Sequence, residues 1–569
     1  MACYPADSMS LPFGRRDAAA LTIVAACVVL VFWKIALTSQ YTFIEAPDIG
    51  HQVLPWLQVQ AGAVHRGTAP LLWDPYIGGG QPLAGQLQPA VFSPFTWILM
   101  ATPLDAAGHL RLAWIHWWFV LLHMFAGWFA YAFLRSLEAS RAGSTVGAVF
   151  FAAAGFVGTT NWPQIAAGAI WLPLVFLFYL RSLRGERPIA GAILAGGFLA
   201  LSVLSGHHAV PVFASLAIMA LGIAALVRGQ IRWNSVAVRT FIVFAVAGCG
   251  AAVQLLPAVE YGHYSLRWVN ADHPVDWRSP VPYPVHENLG WSPADLIFLV
   301  VPGTSGTITD PKVGVIPLAL AAAALLAVPR RKAAGPLAAI ALGATLFSFA
   351  RFNVFHGALY ALLPGLEKAR APIMAMAIAD VAVAALAAFG IDALLAHAVP
   401  GLRRLRIGLA LGAAFLFLLA LYPPAALRNV SHGAGRAGMI AVVTVLLSLL
   451  FAAWEAKRVR PALPVCGVLA LALIEIGNTT GFDYVHVDSK ASLARPRLYQ
   501  TTEALAEFLK SRVGSDRVSY VYEDLVFNLG DWYGIPSLAG FLPSAPEASW
   551  RLGPWNRPAA FRSIRGDST

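Results

Sequence analysis

Between residues 48 and 85 the chain reads DIGHQVLPWLQVQAGAVHRGTAPLLWDPYIGGGQPLAG, a run rich in side chains able to take part in chemistry. It holds the carboxyls of Asp48 and Asp74, the imidazoles of His51 and His65, and three consecutive glycines. A carboxylate can accept a proton from an attacking hydroxyl, and desolvation near a bilayer raises its proton affinity; Asp48 can equally be a helix cap or a loop hydrogen bond. Asp74, between Trp73 and Pro75, reads as a turn former. Gly78 to Gly80 tolerate unusual dihedrals and can bring backbone N–H groups close to a sugar or phosphate. They are not a P-loop, since no Gly-Lys-Ser/Thr follows.

A second polar group lies downstream: Glu260, His263, Arg267, Asp272, His273, His286 and Glu287. Glu260 directly follows the apolar run LLPAV, so it stands at a membrane–water boundary, as a functional carboxylate or an ordinary solvated helix end. The Arg267 guanidinium suits bidentate binding of phosphate oxygens, or is a surface arginine. His207 and His208 occupy a corner in LSGHHAV, where two adjacent histidines do not easily face one ion. His116 and His123 share one helical face and read as a polar stripe turned inward. No His-x-x-x-His with a neighbouring Glu occurs, and acidic clusters of metal-ligand spacing are absent. No cofactor is called for; a divalent Mg or Mn ion stays open only if Asp48 and Glu260 meet in space.

The elements that position these groups follow from composition. With 569 residues, 58% hydrophobic and 12% charged, the chain has too little polar surface for a soluble fold of its size and reads as an integral membrane protein. The four cysteines have no paired spacing and read as packing residues. Segments long enough to cross ~30 Å of hydrocarbon fall near 18–38, 112–134, 145–160, 164–180, 189–205, 208–227, 240–258, 313–329, 336–350, 373–395, 407–422, 437–454 and 462–477. The expected fold class is therefore an all-α polytopic membrane protein of about 13 transmembrane helices.

Basic residues cluster in alternate connections: Arg15/Arg16, Arg135/Arg141, Arg181/Arg184/Arg187, Arg228/Arg232/Arg239, Arg330/Arg331/Lys332, Arg403/Arg404/Arg406 and Lys457/Arg458/Arg460. The positive-inside rule then puts the N-terminus in the cytoplasm and the segments 39–111, 259–312 and 478–569 outside. This placement explains the net charge of +11 without a nucleic-acid partner. Lys34 and Gln40 close the first span like an anchor, and no small-residue cleavage site follows it. The alternation in VLPWLQVQAGAV (53–64) predicts a short helix lying on the membrane surface with Trp56 at headgroup level. The tail predicts a small outer α/β domain, with a helix over TEALAEFLKSR and a strand over RVSYVYED. The domain reading is thus a transmembrane domain over 1–477 and an extracytoplasmic C-terminal domain over 478–569.

The order Asp-Ile-x-x-Gln-x-x-Pro-Trp, then Gly-x-x-Pro-Leu-x-Trp-x-Pro-Tyr-Ile-Gly-Gly-Gly-x-Pro-Leu, then Pro-x-x-Phe-x-Pro, resembles the first outer loop of the YfhO-type bacterial membrane proteins. QLLPAVEYGHYSLR (254–267), LIFLVVPGTSG (296–306) and KARAPIMAMAIADVAVAALAAFGID (368–392) resemble further marks of that family in the same order. Ile373 and Met374 stand where the family usually has an Arg after the proline. The resemblance spans about 40 to 550 and implies a GT-C-like membrane glycosyltransferase of the bacterial inner membrane, inverting in stereochemistry. Such an enzyme takes a sugar from a polyprenyl-phosphate-sugar donor and passes it to a glycan, lipid or polymer acceptor of the cell envelope.

The resemblance also implies that Asp48 is the catalytic carboxylate. Substrate-binding roles are expected of Glu260, Arg267, His51, Gln52, Trp73, Gly79, Gly80 and His263. In the tail, Asn528, Asp531, Trp532 and Tyr533 are groups that bind sugars or simply hold a small domain together. The competing classes are a transporter or flippase of a lipid-linked saccharide and a non-catalytic assembly scaffold. Transporters usually carry charges inside interrupted helices, whereas the charges here concentrate in large loops.

Overall fold

The computed structural model describes residues 14–44, 48–267, 269, 274–303, 312–428, 432–456, 462–480, 484–487, 496–519, 528–538, 540, 542 and 544–548. Every apolar stretch expected to span is helical there, and the described strands form only three two-stranded pairs. Among the described residues eight helices are long and apolar enough to cross a membrane. Pro188–Leu204, Val315–Leu326, Ala334–Ser348 and Ala462–Gly477 are shorter apolar helices, and the first stretch breaks at Phe32 into Arg15–Val31 and Trp33–Leu37. The chain is an all-α polytopic membrane protein. Cys27 is buried as a packing residue, whereas Cys249 and Cys466 are exposed; Cys3 lies outside the described residues.

The bundle centres on Met376–Leu395, an alanine-rich helix buried almost all round. Small residues let its neighbours come close, as packing between membrane helices requires. Gly143 and Gly147, one turn apart, lie so near it that an added Cβ would fall 2.5 Å from the Ala388 carbonyl oxygen and 2.6 Å from that of Ala384. The helix containing them breaks at Ala154, between Arg141–Ala153 and Gly155–Thr159. Gly155 takes φ +57 at the break, and the freed N–H of Phe156 is satisfied by the Asp380 carboxylate from the central helix.

The two ends of the bundle differ. At one end the basic connections gather: Asp17 accepts from Arg141 at 3.1 Å and from Tyr131 at 2.8 Å, and Arg331 reaches Asp392 at 2.8 Å. At the other end a cap is built from chain-distant pieces. Tyr41–Thr42 pairs with Val485–His486, and Ser265–Arg267 pairs with Ser544–Pro546. The described strands of the tail thus pair with the loops rather than with one another. The tail helix is present as Pro496–Val513, and Val518 bridges to Ser537; 520–524, the rest of the expected strand, lies outside the described residues, as do Asp272 and His273.

One expectation is corrected. Residues 54–65 do form a helix, but Trp56 is fully buried, packed with Val59, Leu83 and Val91 rather than at headgroup level. The alternation misleads because its polar members face inward as brackets. Gln58 donates to the Gly108 carbonyl at 2.9 Å and accepts from the Leu110 N–H at 2.7 Å, while Gln60 donates to Pro89 at 3.0 Å. Buried side-chain amides that hold two segments at once read in sequence like a wet face.

Candidate functional site

Asp48 begins a single wide π-type turn, Ile49–Val53, that leads into the buried helix; its side chain makes no cap hydrogen bond. The helix-cap reading of Asp48 therefore does not hold. Burial lifts its carboxyl above the ordinary 3.8, with no compensating charge. His51, one turn on, is pushed down to about 4 by burial, so its imidazole is neutral at physiological pH. Gln52 is buried beside it.

The glycine run is the tip of a tight hairpin in which Trp73 pairs with Pro82 and Asp74 with Gln81. Gly78, Gly79 and Gly80 have φ of +57, +81 and +112, a region closed to most side chains. The exposed Trp73 ring lies on Gly80, with ring atoms 2.7 Å from where a Cβ would sit. The N–H groups of Gly79 and Gly80 are taken by the carbonyls of Ser537, at 2.9 Å, and Ile77, at 2.8 Å. An expected cradle of open glycine N–H donors is thus replaced by a docking edge for the tail. Asp74 is a turn former, accepting the Tyr76 N–H at 2.9 Å.

Its other partner was not expected. Asp531, from the tail, faces Asp74, and both side chains are almost wholly buried, at 3% and 0% exposure. Two carboxylates in this position cannot both ionise. Burial raises Asp74 to about 6, and burial with the neighbouring Asp74 charge raises Asp531 well above the ordinary carboxylate range; among the described residues neither Asp531 oxygen has a hydrogen-bond partner.

Across the cap, two arginines from chain-distant elements come near each other, with neutral histidines beside them. Arg267 sits on the Ser265–Arg267 strand, its backbone paired with Val275. Arg370 ends the loop before Pro372 and gives one guanidinium N–H to the Val269 carbonyl at 3.0 Å. The following residue, Ala371, holds φ +63, a left-handed conformation that residues with a Cβ seldom adopt outside constrained sites. Arg370 lies near enough to Arg267 that burial and this neighbour press it down to about 10. Neither arginine has a carboxylate within 4 Å among the described residues.

The histidine corner completes this group. The His207 and His208 rings stack at 5.3 Å, His208 donates from Nε2 to the Lys368 carbonyl at 2.7 Å, and burial with the two arginines keeps both rings neutral. Beside Arg370, His286 stacks on His356 at 5.2 Å; each is about 1% exposed or less, and each has an Nε2 without a hydrogen-bond partner. The Tyr261 hydroxyl, 2.8 Å from Gln81 and 3.1 Å from the Ser544 carbonyl, ties this region to the first loop and the tail.

Two expected members lie apart. Glu260 is exposed on the last turn of Trp233–Tyr264, and neither it nor Asp48 is among the charges acting on Arg267. His263 is exposed and leans on Trp277 at 5.5 Å. His116 and His123 are interior, bonded to the Thr42 hydroxyl and to the carbonyls of Phe119 and Val157. Among the described residues no group of three or more His, Cys, Asp or Glu is placed to hold a metal ion. The charged cluster is cationic, so the residues do not fit Mg or Mn and no step is routed through one. Arg370 and His356 are the site groups that sequence reading passed over. Arg370 was legible as the last basic residue before the proline of KARAP.

No protein-family model matches the chain, and no curated protein matches it. Among solved structures it is similar to ArnT from Cupriavidus metallidurans bound to undecaprenyl phosphate, with 15% identity over 96% of this chain and 90% of that one, at a TM-score of 0.44. The apo form of that ArnT gives 12% identity over 91% and 85%, at 0.45. The arabinosyltransferase EmbB from Mycobacterium smegmatis gives 12% identity over 87% of this chain and 44% of that chain, at 0.43.

Proposed function

We propose that the chain is a membrane glycosyltransferase that moves a sugar from a polyprenyl-phosphate donor to a hydroxyl of a cell-envelope glycan, lipid or polymer. In this reading it sits in the bacterial cytoplasmic membrane with the cap on the outer face. The observation that supports the reading is the Arg267–Arg370 pair, two half-buried guanidiniums close enough for Arg267 to act on Arg370, with no carboxylate within 4 Å of either among the described residues. Such a pair is costly when empty and favourable when a doubly charged phosphate fills it.

The chemistry follows from that assignment. The acceptor oxygen bonds to the anomeric carbon as the bond from that carbon to the phosphate oxygen breaks, and the lipid phosphate leaves with the electron pair. The two guanidiniums stabilise the charge gathered on the leaving oxygens. In this reading Asp48, desolvated by burial, receives the acceptor's proton. Attack opposite to the departing phosphate inverts the anomeric configuration.

The test is binding of undecaprenyl phosphate to the purified protein and to Arg267→Gln/Arg370→Gln, with tryptophan fluorescence as a check on folding. Loss of binding in the folded double variant supports the reading; undiminished binding removes the carrier phosphate from this site.

A further inference from the structure

A cavity of about 1630 Å3 lies between the helices Ala209–Val227 and Ala334–Ser348. Both helices lean on Met376–Leu395, and its bore is apolar, lined by Ala217, Ala220, Ala224, Leu337, Ile340 and Gly343. At the cap end Phe213 meets Phe347 edge to face at 5.5 Å, and Phe347 in turn meets His356 at 4.8 Å. These rings, continued by His286, stand between the bore and Arg370. The opposite end opens among the basic connections, with Arg184, Arg228 and Lys332 on its rim.

Protein interiors hold few voids larger than a water molecule, and apolar ones stay dry. A bore of this volume in a bilayer is therefore filled by hydrocarbon. From Phe213 to Arg228 the helix rises roughly 22 Å at 1.5 Å per residue, deeper than one leaflet's half of the ~30 Å core and long enough for an extended acyl chain. The rim supplies the headgroup's counter-charge. Arg135, Arg181 and Arg331 are already paired with carboxylates, but among the described residues the exposed side chains of Arg228 and Lys332 make no hydrogen bond or ion pair, and the Arg184 side chain reaches only the Ser136 carbonyl at 3.4 Å. The positive-inside rule accounts for basic residues at this end; it does not account for a lipid-sized bore beneath them.

We propose that this cavity is a structural lipid site, holding one anionic glycerophospholipid from the leaflet at the basic end. Its phosphate sits against Arg228, Lys332 and Arg184, and an acyl chain runs up to the Phe213–Phe347 contact. The site is separate from the one assigned to the carrier phosphate, because the aromatic contact closes the bore below Arg370. Three surface cations favour an anionic over a zwitterionic headgroup on the order of 10²-fold.

The test is native mass spectrometry of the full-length protein released from nanodiscs of equal phosphatidylglycerol and phosphatidylcholine. One phosphatidylglycerol per chain should resist stripping. Arg228→Gln/Lys332→Gln should lower that retention about tenfold while the remaining basic residues still orient the protein. Gly343→Leu should displace the lipid with all rim charges intact, since nothing lies within 4 Å of a Cβ added there. Equal retention of phosphatidylcholine, unchanged retention in both variants, or a polyprenyl phosphate as the molecule held after purification from cells would overturn the assignment.

Discussion

Two like-charge pairs are buried in the same cap and resolve their repulsion differently. Asp74 and Asp531 are carboxyls whose affinity for protons is raised by burial and, at Asp531, by its neighbour, so the pair sheds its charge by taking up protons. Arg267 and Arg370 have no such escape, because a guanidinium does not shed its proton at any pH the protein meets. The acidic pair can settle its charge within the chain; the basic pair, in the function proposed above, is completed by an anion from outside. A buried cluster of one sign is thus informative only once its chemistry is known, since carboxyls can settle among themselves what arginines must settle with a ligand.

The comparison can be broken most sharply at Asp48, an acid that belongs to neither pair. Asp48→Asn is expected to lower sugar transfer by roughly 10²–10⁴-fold, the usual worth of general-base assistance, without changing membrane insertion. Asp74→Asn should retain most activity, because Asn also serves in a turn. Steady-state transfer rates for the two purified variants decide it, and a near-normal rate for Asp48→Asn would take that residue out of the mechanism.

Next in size is Arg370→Gln, which should cost on the order of 10²-fold in kcat/KM, as loss of one charge-stabilising donor commonly does. Arg370→Lys restores the charge but not the two-pronged geometry, and should recover part of the loss. Identical kinetics for the Gln and Lys variants would mean that Arg370 acts through packing and not through phosphate.

The acidic pair gives a smaller effect with a definite sign. Both folded-state pKa values lie above the unfolded 3.8, so the folded cap holds more protons than the unfolded chain once pH exceeds about 4. Docking of the tail therefore weakens as pH rises from about 4 through about 6, and further until Asp531 has titrated. Asp531→Asn cannot ionise and should remove most of this slope. Amide exchange across 528–538 at pH 8 is expected to slow about tenfold in the variant; faster exchange would show that the pair does not take up protons on folding.

The smallest change is expected from Glu260→Gln. Its side chain is exposed and carries no partner, so transfer should stay within about twofold of wild type, as for most surface substitutions. A loss of tenfold or more would place Glu260 on the acceptor's path.

How much of this was legible depended on the kind of pattern each residue belongs to. Membrane spans are long, one-dimensional signals, and all of the expected stretches are helical. Trp56 was placed wrongly because Gln58 and Gln60, which make the helix look half wet, are buried brackets whose partners lie in a neighbouring loop. The Asp74–Asp531 pair could not be read at all, since nothing in sequence joins two residues so far apart. Arg267 was visible as a candidate phosphate ligand by type, but its nearness to Arg370, 103 residues on, is displayed only in three dimensions.

The pairing of Ser265–Arg267 with Ser544–Pro546 carries a consequence for biosynthesis. The Tyr261 hydroxyl and the Ser544 carbonyl are 283 residues apart, and a ribosome adds only about 5–20 residues per second. The strand bearing Arg267 therefore waits many seconds for the segment that completes it. A chain cut short before 528 would insert every span and still lack an assembled anion pocket. Residues 544–546 thus complete a strand pair whose other member is made 277 or more residues earlier.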